Sequence, residues 1–233
     1  HTTLQKNFFP LMINQSEKLF LPKGKKNLLL HTCCAPCSGD IMLRLIDSSI
    51  FFNLFFYNPN IHPKKEYLLR KDENIKFAIK HNIPIVDAEY DSKNWFDATK
   101  GMEWEPERGK RCDTCFDMRL LKTAQYASQH NFDLISSTLG ISRWKDFSQI
   151  NRAGFKSTLQ FKNVDYWDFN WRKNNGSQNM IKISKKENFY MQEYCGCTYS
   201  LRDTNEWRIK NKKSKIEFGL KYYSFLDENT TKN

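Results

Sequence analysis

Three cysteines, Cys33, Cys34 and Cys37, crowd into the stretch HTCCAPCSGD (31–40), directly after the apolar run Leu28-Leu29-Leu30. Cys112 and Cys115 are spaced Cys-x-x-Cys, and Cys195 and Cys197 flank Gly196. These are all seven cysteines of the chain. Free thiols used as core filler scatter along a sequence. Thiols gathered into three short clusters are the pattern of metal ligands or redox catalysts.

Each spacing limits what its cluster can do. In Cys-x-x-Cys at the start of a helix both sulfurs point the same way, so one metal centre can take both. Adjacent cysteines in extended chain point to opposite sides. Cys33 and Cys34 are therefore expected to serve two centres, or one a metal and one the substrate. Gly196 permits unusual dihedrals and leaves the Cys195–Cys197 turn ambiguous. One division satisfies all three clusters. Cys112 and Cys115, with one of Cys33/Cys34 and one of Cys195/Cys197, hold a four-cysteine site. The remaining thiolates and Cys37 offer a three-ligand site with an open position that Asp40 can join. Which member of each pair goes where stays open. Four thiolates suit either a structural zinc or an iron–sulfur cluster. Zinc sites usually pair two Cys-x-x-Cys hairpins close in sequence. Here the ligands come from three distant segments, which favours a redox cluster.

The 233 residues can form one large domain without being forced into two. Hydrophobic residues make up 39% and aromatics 15%, enough for a real core. The net charge of +11, with a pI near 9.2, points to a polyanionic partner, nucleic acid first. The start, HTTLQKNFFP, lacks the pattern of a secretory signal. The longest apolar run, IFFNLFFY (50–57), is far short of the roughly 20 residues that span a bilayer. A cytoplasmic protein without a membrane partner is expected. In that reducing compartment clustered thiols bind metal or catalyse rather than pair as disulfides.

The elements that must position these thiols alternate. NLLLHT, IFFNLFFYN, IPIVDAEY, FDLISSTLG and VDYWDFN read as strands. Between them, SGDIMLRLID, the charged HPKKEYLLRKDENIKFAIKHN with Pro63 in its first turn, Cys112 to His130, and RWKDFSQINRAGFKSTLQF read as helices. Phe116, Leu120, Ala124 and Ala127 share one face of the third. The alternation predicts an α/β fold with a doubly wound, mostly parallel, Rossmann-like sheet and helices on both faces. Ligands of such sheets bind beyond the carboxyl ends of the strands, where the first cysteine cluster falls. The chain divides into an N-terminal arm (1–26), a catalytic α/β domain (27–200) and a basic C-terminal appendage (201–233).

Further candidates lie beside the thiols. Asp40, Asp113 and His31 are possible proton donors. Their ordinary readings are a helix-start acceptor, a first-turn charge and a satisfied strand-end histidine. Tyr57, Asn58, Asn60 and His62, in YNPNIHP after the second strand, can line a ligand site at the sheet edge, or simply make turns. Glu107, Arg108, Lys110 and Arg111 precede the second cysteine pair, where the cations can meet phosphates or lower thiolate pKa values. The tail interleaves Trp207, Phe218, Tyr222 and Tyr223 with Arg208, Lys210, Lys212, Lys213, Lys215 and Lys221, which suits RNA or an ordinary packed helix.

LLLHTCCAPCSGD, FFYNPNIHPKKEY, KGMEWEPERGKRCDTCFDMRL and YCGCTYS together resemble the cobalamin-independent epoxyqueuosine reductases, the QueH family, over roughly residues 27 to 200. The resemblance implies a fold similar to that of tRNA-modifying PP-loop enzymes. It also implies a [4Fe-4S] cluster beside a second mononuclear metal, iron by family precedent. The implied reaction is reduction of epoxyqueuosine to queuosine at the tRNA wobble position. The implied electron donor is a carrier such as ferredoxin or flavodoxin. The loop Ser142-Arg143-Trp144-Lys145-Asp146 departs from the family's Pro-His or Pro-Tyr before the lysine. Lys145 still matches as a catalytic and substrate-binding residue, with Ser142 and Arg111 beside it as substrate contacts. Some relatives carry Asp at the position of Cys37, also a possible metal ligand. Two rivals remain: a cluster-dependent tRNA thiolase, whose Ser-Gly-Gly-x-Asp-Ser loop is replaced here by CCAPCSGD, and a zinc-stabilised RNA-binding module.

Overall fold

A computed structural model describes residues 18–216. Five strands, β1 (Leu28–His31), β2 (Phe52–Phe56), β3 (Ile85–Asp87), β4 (Leu134–Ser137) and β5 (Asp165–Tyr166), form one sheet in the order β3-β2-β1-β4-β5. All neighbours are parallel. Strand order reverses beside β1, and doubly wound sheets place their ligand crevice at that switch point. His31 is in register with Phe55 on one side and Ser137 on the other, so β1 and β4 end level and β2 runs one residue further.

The described residues form seven α-helices: α1 (Ala35–Asp47), α2 (Lys64–Lys80), α3 (Ser92–Ala98), α4 (Lys110–Gln129), α5 (Phe147–Thr158), α6 (Gly176–Lys186) and α7 (Thr198–Lys210). Side chains of a strand alternate between faces. Leu28, Leu30 and Leu54 accordingly pack with Ile41, Met42 and Leu45 of α1, while Leu29, Phe55 and Ile135 meet Ala124 and Ala127 of α4 on the other face. Full burial of each such leucine stabilises by about 1.5–3 kcal/mol. The expected α4 face, Phe116, Leu120, Ala124 and Ala127, is buried throughout. Among the described residues, no helix is long and apolar enough to cross a membrane.

Several boundaries differ from expectation. Helix α1 starts at Ala35, three residues before Ser38, because Pro36 fits its first turn. Pro63 is the N-cap of α2 rather than a first-turn residue. Helix α5 starts at Phe147, where the Asp146 carboxylate accepts from the N–H groups of Ser148 and Gln149. The fifth strand shrinks to two residues, and Trp167 and Trp171 pack inward instead. The sequence pattern does not predict α3, α6 or α7, and position 200 falls inside α7. Phe218, Lys221, Tyr222 and Tyr223 of the tail, and residues 1–17 of the arm, lie outside the described residues.

A candidate thiolate metal centre

The turn from β1 into α1 is only Thr32-Cys33-Cys34, and Cys34 is the N-cap. Cys34 is extended (φ −163°, ψ 153°), yet its Sγ lies 3.8 Å from that of Cys33. The chain corners into the helix at this point, so the neighbouring sulfurs converge rather than face apart. Cys37, in the first turn, completes a buried trio whose sulfurs all lie within 4.8 Å of one another. Cys33, Cys34 and Cys37 thus form a compact group, closer together than the extended-chain rule expects. Two thiolates on one metal at about 2.3 Å sit about 3.8 Å apart in tetrahedral geometry.

Three thiols this close cannot all ionise without a cation. The S–H groups of Cys34 and Cys37 pull the Cys33 thiol well below its usual pKa. Cys34 is pushed well up by Cys33, and Cys37 to about 12 by the same neighbour.

The other four thiols form a second group. Helix α4 carries Cys112 and Cys115 in its first two turns, and the Cys195–Cys197 turn packs beside it before α7. Burial, then Cys195 and Cys115, pushes Cys112 up to about 12. Burial raises Cys115 and Cys197 as well, with Cys195 adding to both. Lys145 joins the groups. Burial works against its ammonium, but the sulfurs of Cys195, Cys33, Cys37 and Cys34 hold its pKa above the ordinary lysine value. Lys145, Cys112 and Cys195 line a shallow cleft open to solvent, together with Glu107, Arg108, Phe116, Trp144, Asp146 and Gln149.

N–H donors point at the sulfurs. The Arg108 backbone donates to Cys112 Sγ at 3.3 Å, Ser200 N to Cys197 Sγ at 3.3 Å, and Gln192 Nε2 to Cys34 Sγ at 3.1 Å. Such donors stabilise thiolates and tune the metals they bind. Seven free thiols, N–H donors on three of them and a cation between the groups fit a sulfur-ligated metal centre well.

A buried ion pair fixes the third cysteine turn. Arg70 binds Glu66 at 2.6 Å on α2 and donates to the carbonyl oxygens of Cys195 and Tyr194 at 3.0 and 3.2 Å. The Tyr190 hydroxyl donates to Glu66 as well. Gly196 has φ 141°, and a Cβ there would meet Arg70 Nη1 at 3.2 Å. No spacing signal marks Glu66 and Arg70 in the sequence beyond their i, i+4 separation on a charged helix.

The expected site residues fall in different places. His62, Asn60 and Asn58 are buried. His62 N donates to Gly196 O at 2.8 Å, its Nδ1 accepts from Thr198 N at 3.4 Å, and its carbonyl accepts from the Tyr194 hydroxyl. Burial lowers the His62 pKa to about 4. Asn58 bridges the Thr32 carbonyl and Arg119. Tyr57 packs in the α4-side core, where burial raises its pKa to about 12. Arg111 is buried beneath the 102–103 carbonyls and the Tyr199 ring. His31 is held by Ser137 Oγ at 3.0 Å and the Tyr57 carbonyl at 3.2 Å, and burial lowers its pKa to about 3. Both ring nitrogens are thus engaged, and burial favours the neutral ring. Asp113 pairs with Arg152 at 3.6 Å on the α4–α5 surface, away from the cleft lining. Asp40 is buried beside Arg44 at 3.9 Å, and burial raises its pKa to about 6. Ser142 Oγ accepts from Trp144 N at 3.3 Å and shapes the Lys145 loop.

Fold and site together define a doubly wound α/β protein with a thiolate-rich centre, able to hold metal, at the carboxyl edge of its sheet. Sequence comparison narrows the class. The chain belongs to the epoxyqueuosine reductase QueH family, whose profile matches residues 28–203, a span containing all seven cysteines. It is 61% identical over 208 residues to the epoxyqueuosine reductase QueH of Haemophilus influenzae, covering 89% of this chain and 85% of that one. The Acinetobacter baylyi relative is 57% identical over 210 residues, covering 90% and 96%. The Streptococcus pyogenes relative is 33% identical over 205 residues, covering 85% and 80%. Among solved structures, the U34-tRNA thiolase NcsA of Methanococcus maripaludis with its [4Fe-4S] cluster superposes loosely. Its TM-score is 0.47 at 13% identity, over 88% of this chain and 72% of that one. So loose a likeness bears on neither fold nor chemistry here.

Proposed function

We propose that this chain reduces epoxyqueuosine in tRNA to queuosine. The reaction takes two electrons and two protons: both epoxide C–O bonds break, a C=C bond forms, and the oxygen leaves as water. The observation that carries this reading is the matched span itself, which holds every cysteine of the chain and brings them to one edge of the sheet. In this reading Cys112, Cys115, Cys195 and Cys197 hold a [4Fe-4S] cluster, and Cys33, Cys34 and Cys37 hold a mononuclear iron with an open position. The close packing of the trio supports the second assignment, and the four-sulfur count of the other group supports the first. Bound there, the cluster supplies electrons one at a time and the second metal supplies Lewis acidity toward oxygen.

The chain's own residues do the rest. Lys145, held as an ammonium by the surrounding sulfurs, keeps a proton on Nζ at the cleft wall and offsets the negative charge of the thiolates. Gln192 and the Arg108 and Ser200 amides hold three sulfurs in place. The basic surface recruits the tRNA, and its anticodon loop, already partly unstacked, delivers the base at low cost. A low-potential one-electron carrier of the ferredoxin or flavodoxin class recharges the centre.

The test is anaerobic incubation of iron-reconstituted protein with dithionite and epoxyqueuosine-bearing tRNA, followed by nucleoside mass spectrometry. Loss of one oxygen mass is the expected result. Unchanged nucleoside with a fully loaded centre overturns the reading. A colourless protein that retains only zinc after anaerobic purification does so as well.

A further inference from the structure

Trp144 is 80% exposed, although it lines the same cleft as Cys112, Cys195 and Lys145. Large aromatic rings usually bury 150–250 Å2 and dominate cores and interfaces. Here the backbone around the ring is tied down while the ring itself is left out. Arg172 donates to the carbonyls of Gly140, Ser142 and Lys145 at 2.8, 2.5 and 2.8 Å. Arg108 donates from Nε to the Trp144 carbonyl at 3.0 Å and reaches the Arg143 carbonyl at 3.5 Å. Trp144 N donates to Ser142 Oγ.

Arg108 is itself fixed. It sits in the left-handed region at φ 68°, its N–H on Cys112 Sγ and its carbonyl accepting from Gln149 Nε2 at 3.0 Å. An αL conformation in a non-glycine residue costs of order 1 kcal/mol and persists where surrounding structure imposes it. The clasp therefore ties the second cysteine segment to the loop that carries the indole.

We infer that Trp144 is a stacking platform for an unpaired nucleobase next to the reacting nucleotide, the exposed Arg143 and Arg108 meeting the flanking phosphates. This rests on the RNA substrate proposed above. An indole carried on a tied-down backbone presents a flat π-face with little backbone entropy left to lose. Unpaired bases stack on such faces regardless of sequence, whereas a duplex hides its base faces. The acidic Glu107 and Asp146 also line the cleft, so charge alone does not draw RNA to this spot; the ring adds what the cations lack.

The experiment uses a fluorescently labelled RNA hairpin with an unmodified seven-base loop and a blunt duplex of the same stem. Anaerobic anisotropy titrations compare wild type, Trp144→Ala and Trp144→Phe, all with metal content verified. Stacking is worth about 1–3 kcal/mol per base, so Trp144→Ala should weaken hairpin binding roughly 5- to 150-fold. Trp144→Phe should stay within about threefold, and duplex affinity should not change. In turnover, the KM for epoxyqueuosine tRNA should rise by the hairpin factor. Equal hairpin affinity for Trp144→Ala and wild type overturns the inference, as does an equal loss for hairpin and duplex. A rise confined to the KM of a protein electron donor, absent with dithionite, also overturns it and makes the ring a donor contact. Those results leave the reductase reading intact. Wild type that neither binds the hairpin nor removes oxygen overturns both.

Discussion

Arg70, on α2, donates a 3.0 Å hydrogen bond to the carbonyl oxygen of Cys195, 125 residues away. One buried guanidinium thus links the charged helix after β2 to the last cysteine turn, while its other contacts hold Glu66 and Tyr194. Breaking a buried pair from one side leaves an uncompensated charge and typically costs about 3–5 kcal/mol. Arg70→Met should lower the melting temperature by about 10 °C and lower the iron bound per chain. The double variant Glu66→Gln/Arg70→Met should recover most of the melting temperature but not the iron. Parallel recovery of both would show that the pair acts through general stability rather than by placing the turn.

The two sulfur groups should be separable by spectroscopy. Cys115→Ser should bleach the broad visible absorption of the reconstituted protein. Cys37→Ser should keep that absorption and lose about one iron per chain. Both should lose turnover by more than about 100-fold, since the loss of mere outer-shell partners already costs 10–100-fold. A bleached Cys37→Ser protein would return that sulfur to the cluster.

Metal loading should release protons. Without metal, Cys37 and Cys112 have pKa values raised to about 12, so both are protonated near neutrality. Cys33, held well below its usual value by its two neighbours, contributes less to the release than Cys34 or Cys37. Metal displaces the raised-pKa protons, so affinity weakens as pH falls, about tenfold per pH unit for each proton displaced. Chelator competition between about pH 6.5 and 8.5 measures the slope. A pH-independent affinity would contradict the raised thiol pKa values.

A remote packing change gives a control. A Cβ at Gly154 would lie 2.3–2.4 Å from the Tyr166 ring, where α5 meets β5. Gly154→Ala should destabilise by about 1–3 kcal/mol, read as a lower melting temperature, with iron content unchanged. Loss of iron in this variant would mean that the site senses sheet packing at its far edge.

Much of the frame is legible in the sequence because its signals are local. Leu28-Leu29-Leu30 reads as a strand buried on both faces, and the α4 stripe from Phe116 to Ala127 reads as a helix face. The β1–α1 thiols are found at the carboxyl edge because strand order alone puts them there. What is not legible is non-local. The Gly196 turn, more than 130 residues on, packs over His62 and Asn60. The Tyr199 ring covers Arg111. The convergence of Cys33 and Cys34 depends on the corner at Cys34, which a rule for extended chain does not contain.

The amino end of α1 has one more implication. In doubly wound nucleotide-binding proteins the first helix after the sheet turns its positive pole toward a phosphate, cradled by a glycine-rich loop. Here that pole is capped by Cys34 with Cys37 one turn inside, and the linking turn is Thr32-Cys33-Cys34, without a glycine. Where such folds offer a phosphate the amides of a glycine loop, the corner into α1 offers three closely packed thiols instead.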